Sequence, residues 1–168
     1  MAFHFKEYGG LFIKDDQFLS LLGSIGSVFN GIFRVILGAT LDRLSFRKIM
    51  LLNIIVFILS CGTIVWSVRE KATYFISVVL TYGCYGSLFS IFPTQTVRIL
   101  GKVIGPKMYY ITFGGFSLGS IMQYLFHKFL VSSYGEDGYT YCFIIFGVFQ
   151  LISLALVILV KFTLHPAE

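Results

Sequence analysis

Charged residues are scarce in this sequence. Asp, Glu, Lys and Arg make up 12% of its 168 residues, against roughly 25% in soluble domains. The few charges are clumped, so long stretches hold none; 57% of the residues are hydrophobic and the mean hydropathy is +0.84. That excludes a water-soluble globular chain and points to a polytopic membrane protein. Cysteine is sparse as well. Cys61, Cys84 and Cys142 each fall inside an apolar stretch, and with no short spacing among them a disulfide framework and a metal knuckle are excluded. They read as small apolar packing residues. A cleavable signal peptide is missing too: the first 17 residues include Lys6, Glu7, Lys14, Asp15 and Asp16, with no apolar core before a small-residue cleavage site. An Arg-rich, acid-free transit peptide is also lacking, so insertion is expected to rely on internal spans. Paired carboxylates, metal-ligand spacings and nucleophile–base constellations are lacking at membrane depth. An enzyme is therefore not expected, and neither is a cofactor or a bound metal. The net charge of +5 sits in short loops between apolar spans, where it marks a retained membrane side rather than nucleic-acid binding.

What is present is a series of apolar segments. A helix crossing about 30 Å of hydrocarbon needs roughly 20 apolar residues. Five segments reach that length: 18–37, 49–68, 74–92, 108–126 and 139–160. Each must be helical, because open strand edges would leave backbone groups unpaired in lipid. The expected fold is an all-α transmembrane bundle of five spans, a single membrane domain over residues 1–168, with residues 1–17 not spanning. Val68-Arg-Glu-Lys-Ala is expected to turn between spans two and three, and Ser132–Gly138 to form a polar hairpin before span five. Pro93 is expected to end span three, and Gly105-Pro106 to start span four, since proline suits a first helical turn.

Arg43, Arg47, Lys48, Arg98, Lys102, Lys107 and Lys161 then share one membrane face, while Lys6, Lys14, Arg69, Lys71 and Lys128 share the other. The bias predicts an amino terminus outside and a carboxyl terminus on the cytoplasmic or matrix side. The mitochondrial inner membrane is one home consistent with this.

Arg34 stands out among the polar groups within spans. It lies a few residues before the Gly38 loop in an otherwise uncharged span, and an arginine at that depth costs roughly 2–3 kcal/mol on insertion scales unless it faces protein or water. Asn30, Ser27 and Gly23 precede it on the same helical face, which fits a bundle interior. Two readings stay open. Arg34 binds an anion, since guanidinium meets carboxylate in a bidentate fork, or it snorkels to headgroups or pairs with Asp42. Asn53, Ser60 and Ser67 form a stripe on span two, and Ser77, Thr81 and Cys84 one on span three. Thr112, Gly115, Gly119 and Gln123 share a face of span four, and such stripes usually mean helix packing. Gln123 is the one with a case for substrate contact; His127, one turn on, reads as interfacial. Asp42 beside Arg43 and Arg47, with Gly38 before them, can form charge-assisted pairs that lock neighbouring helices at the membrane face.

Gly38-xxx-Asp42-Arg43-xxx-Arg47-Lys48 resembles the loop motif found once in each half of major facilitator superfamily transporters. One position departs: Ser45-Phe46 stands where the family usually has a glycine and a variable residue. Asn30-xxx-Arg34-xxx-Gly38-xxx-Asp42 resembles the eighth helix of the oxalate/formate antiporter-like and monocarboxylate-type branch. Phe92-Pro-Thr-Gln-Thr-Val-Arg98-Ile-Leu-Gly101, followed by Gly105-Pro106-Lys-Met-Tyr109, is similar to that branch's connection between helices ten and eleven. The resemblance implies that the five spans are family helices eight to twelve, a truncated carboxyl-terminal half, with Phe5-Lys-Glu-Tyr-Gly9 just after helix seven. Arg34, Asn30 and Gln123 would be substrate-binding residues; Gly38, Asp42, Arg43 and Arg47 would gate or lock helices. Dicarboxylate-carrying relatives also use a lysine that would fall near Gly114, where this chain has none between Lys107 and Lys128.

Two functions follow as expectations. The first is a non-catalytic accessory or structural subunit of a larger membrane complex, such as an organellar energy-transducing one. The alternative is half of a split or dimeric organic-anion transporter, paired with a homologous amino-terminal half. Expected partners are accordingly other membrane subunits, that half and the lipid bilayer.

Overall fold

The computed structural model describes residues 4–159. Val160 and Lys161, placed by the sequence at the end of span five and on the basic face, lie outside the described residues. The fold is all-helical. A short helix α1 (Phe5–Phe12) leads to α2 (Asp16–Thr40), α3 (Phe46–Ser67), α4 (Lys71–Tyr134) and α5 (Asp137–Leu159). Among the described residues, α2, α3, α4 and α5 are long and apolar enough to cross a membrane.

α4 holds the third and fourth expected spans. Its 64 residues would run about 96 Å if straight, some three bilayer cores. It does not run straight. At Gly101 the backbone takes φ 76° and ψ 172°, a region essentially reserved for glycine, and the chain folds back on itself. Phe89 and Phe116 therefore stack with ring centroids 4.9 Å apart, and Phe92 meets Phe116 at 6.0 Å. At the bend the arms nearly touch: a Cβ on Gly105 would stand 2.6 Å from Val97 Cα. The two arms, 71–100 and 102–134, are two spans joined by a hairpin.

This corrects the expected boundaries. Pro93 lies inside the helix and does not end span three. A buried helix tolerates proline because neighbouring groups re-satisfy the freed carbonyl, and the first arm continues to the glycine that can reverse it. Pro106 is likewise inside helix rather than at its start. The polar hairpin is also shorter than 132–138, because helix persists through Tyr134 and Gly135, at φ 59°, makes the turn.

Close approach of α2 to the first arm of α4 depends on missing side chains. Gly26 faces the Tyr82 ring, Gly83 faces Phe33, and Gly38 faces Ser90. Gly86 meets backbone: a Cβ there would lie 2.6 Å from the Asn30 carbonyl oxygen. Small residues let backbones approach where lipid offers no hydrophobic drive for association. Two apolar clusters fill the ends of the bundle. One gathers Tyr8, Leu22, Ile64, Tyr74 and Phe143 near α1; the other gathers Leu41, Ile49, Ile54, Ile91 and Val157 near Asp42. Between them the stripe residues Asn53, Ser60 and Ser67 are buried, as are Ser77, Thr81 and Cys84. Asn53 donates to the Cys84 carbonyl at 3.3 Å and accepts from Ser87 at 2.9 Å, so its amide satisfies and joins α3 and α4.

Candidate functional site

Arg34 lies six residues inside the end of α2, about 9 Å along the axis. It is exposed on the protein surface, and its Cζ sits 4.8 Å from the centre of the Phe89 ring. Phe89 in turn rests on Phe116 and leans on Phe113, 5.8 Å away. The guanidinium therefore stands on an aromatic pedestal built from both arms of α4, a cation–π contact that strengthens where water is excluded. Among the described residues no carboxylate pairs with it. Asp42 is engaged elsewhere.

Asn30 shares the Arg34 face by sequence but is drawn into packing. Its Nδ2 donates to the Tyr82 carbonyl at 2.9 Å. Gln123 faces a different space, a cavity of about 430 Å³ between α3, α5 and the two arms of α4. Asn53, Thr81, Tyr85, Gln150 and Ser153 also line it, and Phe116 forms part of its wall. The Gln123 amide nitrogen is enclosed, without a hydrogen-bond partner among the described residues. Phe116 stacks on the Phe89 ring that carries Arg34, and Arg34 is not among the residues lining the cavity that Gln123 faces. The stripe of Thr112, Gly115, Gly119 and Gln123 lines a groove of about 360 Å³ rather than a closed helix contact. Nothing among the described residues lies within 4 Å of a Cβ on Gly114, Gly115 or Gly119.

The Asp42 loop does join helices, though with other partners than its neighbours in sequence. Asp42 pairs with Arg98 of α4, and Arg98 also donates to the Leu41 carbonyl at 2.6 Å. Arg47 donates to the Ile158 carbonyl of α5 at 2.5 Å. Arg43 is exposed. Gly38 is needed because Ser90 fills the space a Cβ would take. Sequence reasoning missed Arg98; its place on the same membrane face as Asp42 was the available signal. It also missed Gln95, buried among the inner turns of the first arm with an unpartnered amide nitrogen among the described residues.

At the opposite end, α1 folds over the bundle. Tyr74 donates to the Phe5 carbonyl at 2.5 Å, Lys6 pairs with Asp16 at 2.9 Å and Lys71 with Asp15 at 2.6 Å. His4 and His127 stack with centroids 3.6 Å apart and planes within 10°, and both face Glu7. Burial, and then the neighbouring His127, hold the His4 imidazole below its ordinary pKa, with Glu7 opposing.

The sequence profile of the Major Facilitator Superfamily matches residues 7–168. The chain belongs to the major facilitator superfamily. No curated protein and no solved structure matches it. As a member of the superfamily it is a transporter-like integral membrane protein.

Proposed function

We propose that this bundle is the non-catalytic half of a solute carrier that moves small organic anions, with Arg34 as the anion-binding charge. Superfamily transporters rock two homologous bundles around a site near the bilayer midplane. The observation that carries the reading is the setting of Arg34. It lies at membrane depth, held on Phe89, with no carboxylate of the described residues beside it, while the nearest sequence candidate, Asp42, is taken by Arg98. A charge so placed is costly unless it meets a counter-ion, and a carboxylate of the solute supplies one. The resemblance of the Asn30–Asp42 segment to the carboxylate-carrying branch supports the same class.

The test is uptake of labelled formate, oxalate and lactate into vesicles holding the chain with whatever bundle co-extracts with it. Arg34→Gln is expected to abolish uptake and Arg34→Lys to retain part of it. Uptake unchanged in Arg34→Gln would discard the arginine-dependent carrier.

A second reading, an accessory subunit of a larger membrane complex such as an organellar one, is favoured by one observation. The second arm carries no lysine beside Gly114, and its Gly114, Gly115 and Gly119 face open space, a surface suited to a neighbouring helix. Mild-detergent extraction and native gels separate the readings. Co-migration with a homologous bundle supports the carrier, and co-migration with a many-protein assembly supports the subunit.

A further inference from the structure

We propose that His4, Glu7 and His127 form a divalent transition-metal site, best suited to zinc, that fastens α1 to the second arm of α4. Their donor atoms all lie within 4.8 Å of one another, although the end members are 123 positions apart in the chain. His4 Nδ1 and His127 Nε2 each stand 3.3 Å from the same Glu7 carboxylate oxygen. A tetrahedral zinc ion bound at its usual nitrogen and oxygen distances sets its ligand atoms about 3.4 Å apart. The two 3.3 Å spacings match that figure; the imidazoles lie within 10° of parallel, so both rings must turn for their in-plane lone pairs to meet at one ion.

The surroundings fit the donor set. Two imidazoles and one carboxylate leave a fourth position for water, a familiar zinc arrangement, and imidazole ligands favour zinc, copper and nickel over calcium or magnesium. The His127 Nε2 atom is enclosed and its polar neighbour is the Glu7 carboxylate, 3.3 Å away. Lys6, the nearest cation in sequence, is turned away to Asp16 and Ser20 and does not compete for Glu7. Tyr139 packs edge-on against His127, centroids 5.3 Å apart, and holds that ring from the far side. The inference does not depend on transport: it concerns how the α1 end is held.

The full chain, purified in mild detergent and stripped with a chelator, is titrated with zinc chloride. Bound metal is counted by mass spectrometry, and the zinc absorption edge identifies the ligands. The expected result is one zinc per chain with a shell of two imidazole nitrogens and carboxylate oxygen, and a thermal midpoint that rises with zinc. Glu7→Gln and His127→Gln should each weaken binding about tenfold or more and abolish the thermal shift. Lys128→Gln, one residue away and exposed, should leave both unchanged. Circular dichroism of each variant checks that the helices persist. Substoichiometric zinc, or binding equal in wild type, Glu7→Gln and His127→Gln, would show the three residues to be a hydrogen-bonded cluster and overturn the site.

Discussion

The two ends of the bundle are fastened in different ways. At the Asp42 end the ties are long-range and use arginine: Arg98 bridges α4 to the end of α2, and Arg47 reaches from α3 to the last turns of α5. At the α1 end an added eight-residue helix is tied through Tyr74 and the His4–Glu7–His127 group, and Lys71 holds Asp15 at the start of α2. An arginine fork can satisfy a carboxylate and a carbonyl together, so one residue there replaces a whole capping element. Between the ends, glycines rather than charges bring α2 against α4. A bundle with exchangeable polar ties at its ends and a close-packed middle can move as a rigid body and be locked at either face.

The largest expected effects come from the two glycine turns, one at each end. Gly101→Ala should cost about 1–3 kcal/mol, because that backbone conformation strains any side chain, and Gly135→Ala, at φ 59°, should act similarly at the α1 end. Thermal unfolding in detergent measures both. If Gly101→Ala were neutral, the hairpin between the arms would not be held at that residue. Next is Gly86→Val, which forces a branched side chain against the Asn30 backbone and should destabilise by roughly 1–3 kcal/mol through overpacking. Gly119→Val, with open space around it, should be close to neutral in the isolated chain. The end locks come after the glycines. A double-mutant cycle on Asp42→Ala and Arg98→Ala should give a coupling of about 0.2–1 kcal/mol, since the pair is solvent-facing. Arg98→Ala alone should cost more than Asp42→Ala, because it also strands the Leu41 carbonyl. Equal single costs would mean the carbonyl contact contributes nothing.

Much of this was legible in the sequence, and the illegible part has a common cause. The scarcity of charge located the spans, because hydrocarbon excludes charge whatever the fold. The motif Gly38-xxx-Asp42-Arg43 identified the helix junction, and Gly38 is indeed the residue with Ser90 against it. Pro93 misled, because proline's tendency to end helices is a local preference that buried packing overrides. The partner of Asp42 lies 56 residues away, and local spacing favoured Arg43 and Arg47 instead. His4, Glu7 and His127 escaped a search for metal-ligand spacings because only the fold-back at Gly101 and the placement of α1 bring them together. The glycine stripe on the second arm read as a packing face, yet it borders an open groove, since a pattern of small residues specifies closeness without naming the neighbour.

The smallest expected effect sharpens the contrast between ends through pH. Asp15 caps α2 by accepting from the Phe18 N–H at 3.0 Å, and it also accepts from Lys71 at 2.6 Å. The Lys71 hydrogen bond first, and the Phe18 one second, hold its carboxyl below the ordinary value of 3.8. A carboxyl lowered in the folded state contributes stability that is fully present above its unfolded pKa and is lost as pH falls through the folded one. The start of α2 should therefore loosen only below about pH 4, and the rest of the bundle should not follow. Hydrogen exchange at the Phe18 and Leu19 amides measures it. Asp15→Asn keeps an acceptor for Phe18 but removes both the titration and the Lys71 pair, so its exchange should be slightly faster than wild type at neutral pH and should not accelerate on acidification. An equal acid response in the two proteins would place the α1-end sensitivity at some other group, and the tie between Lys71 and Asp15 would then not be what fastens that helix start.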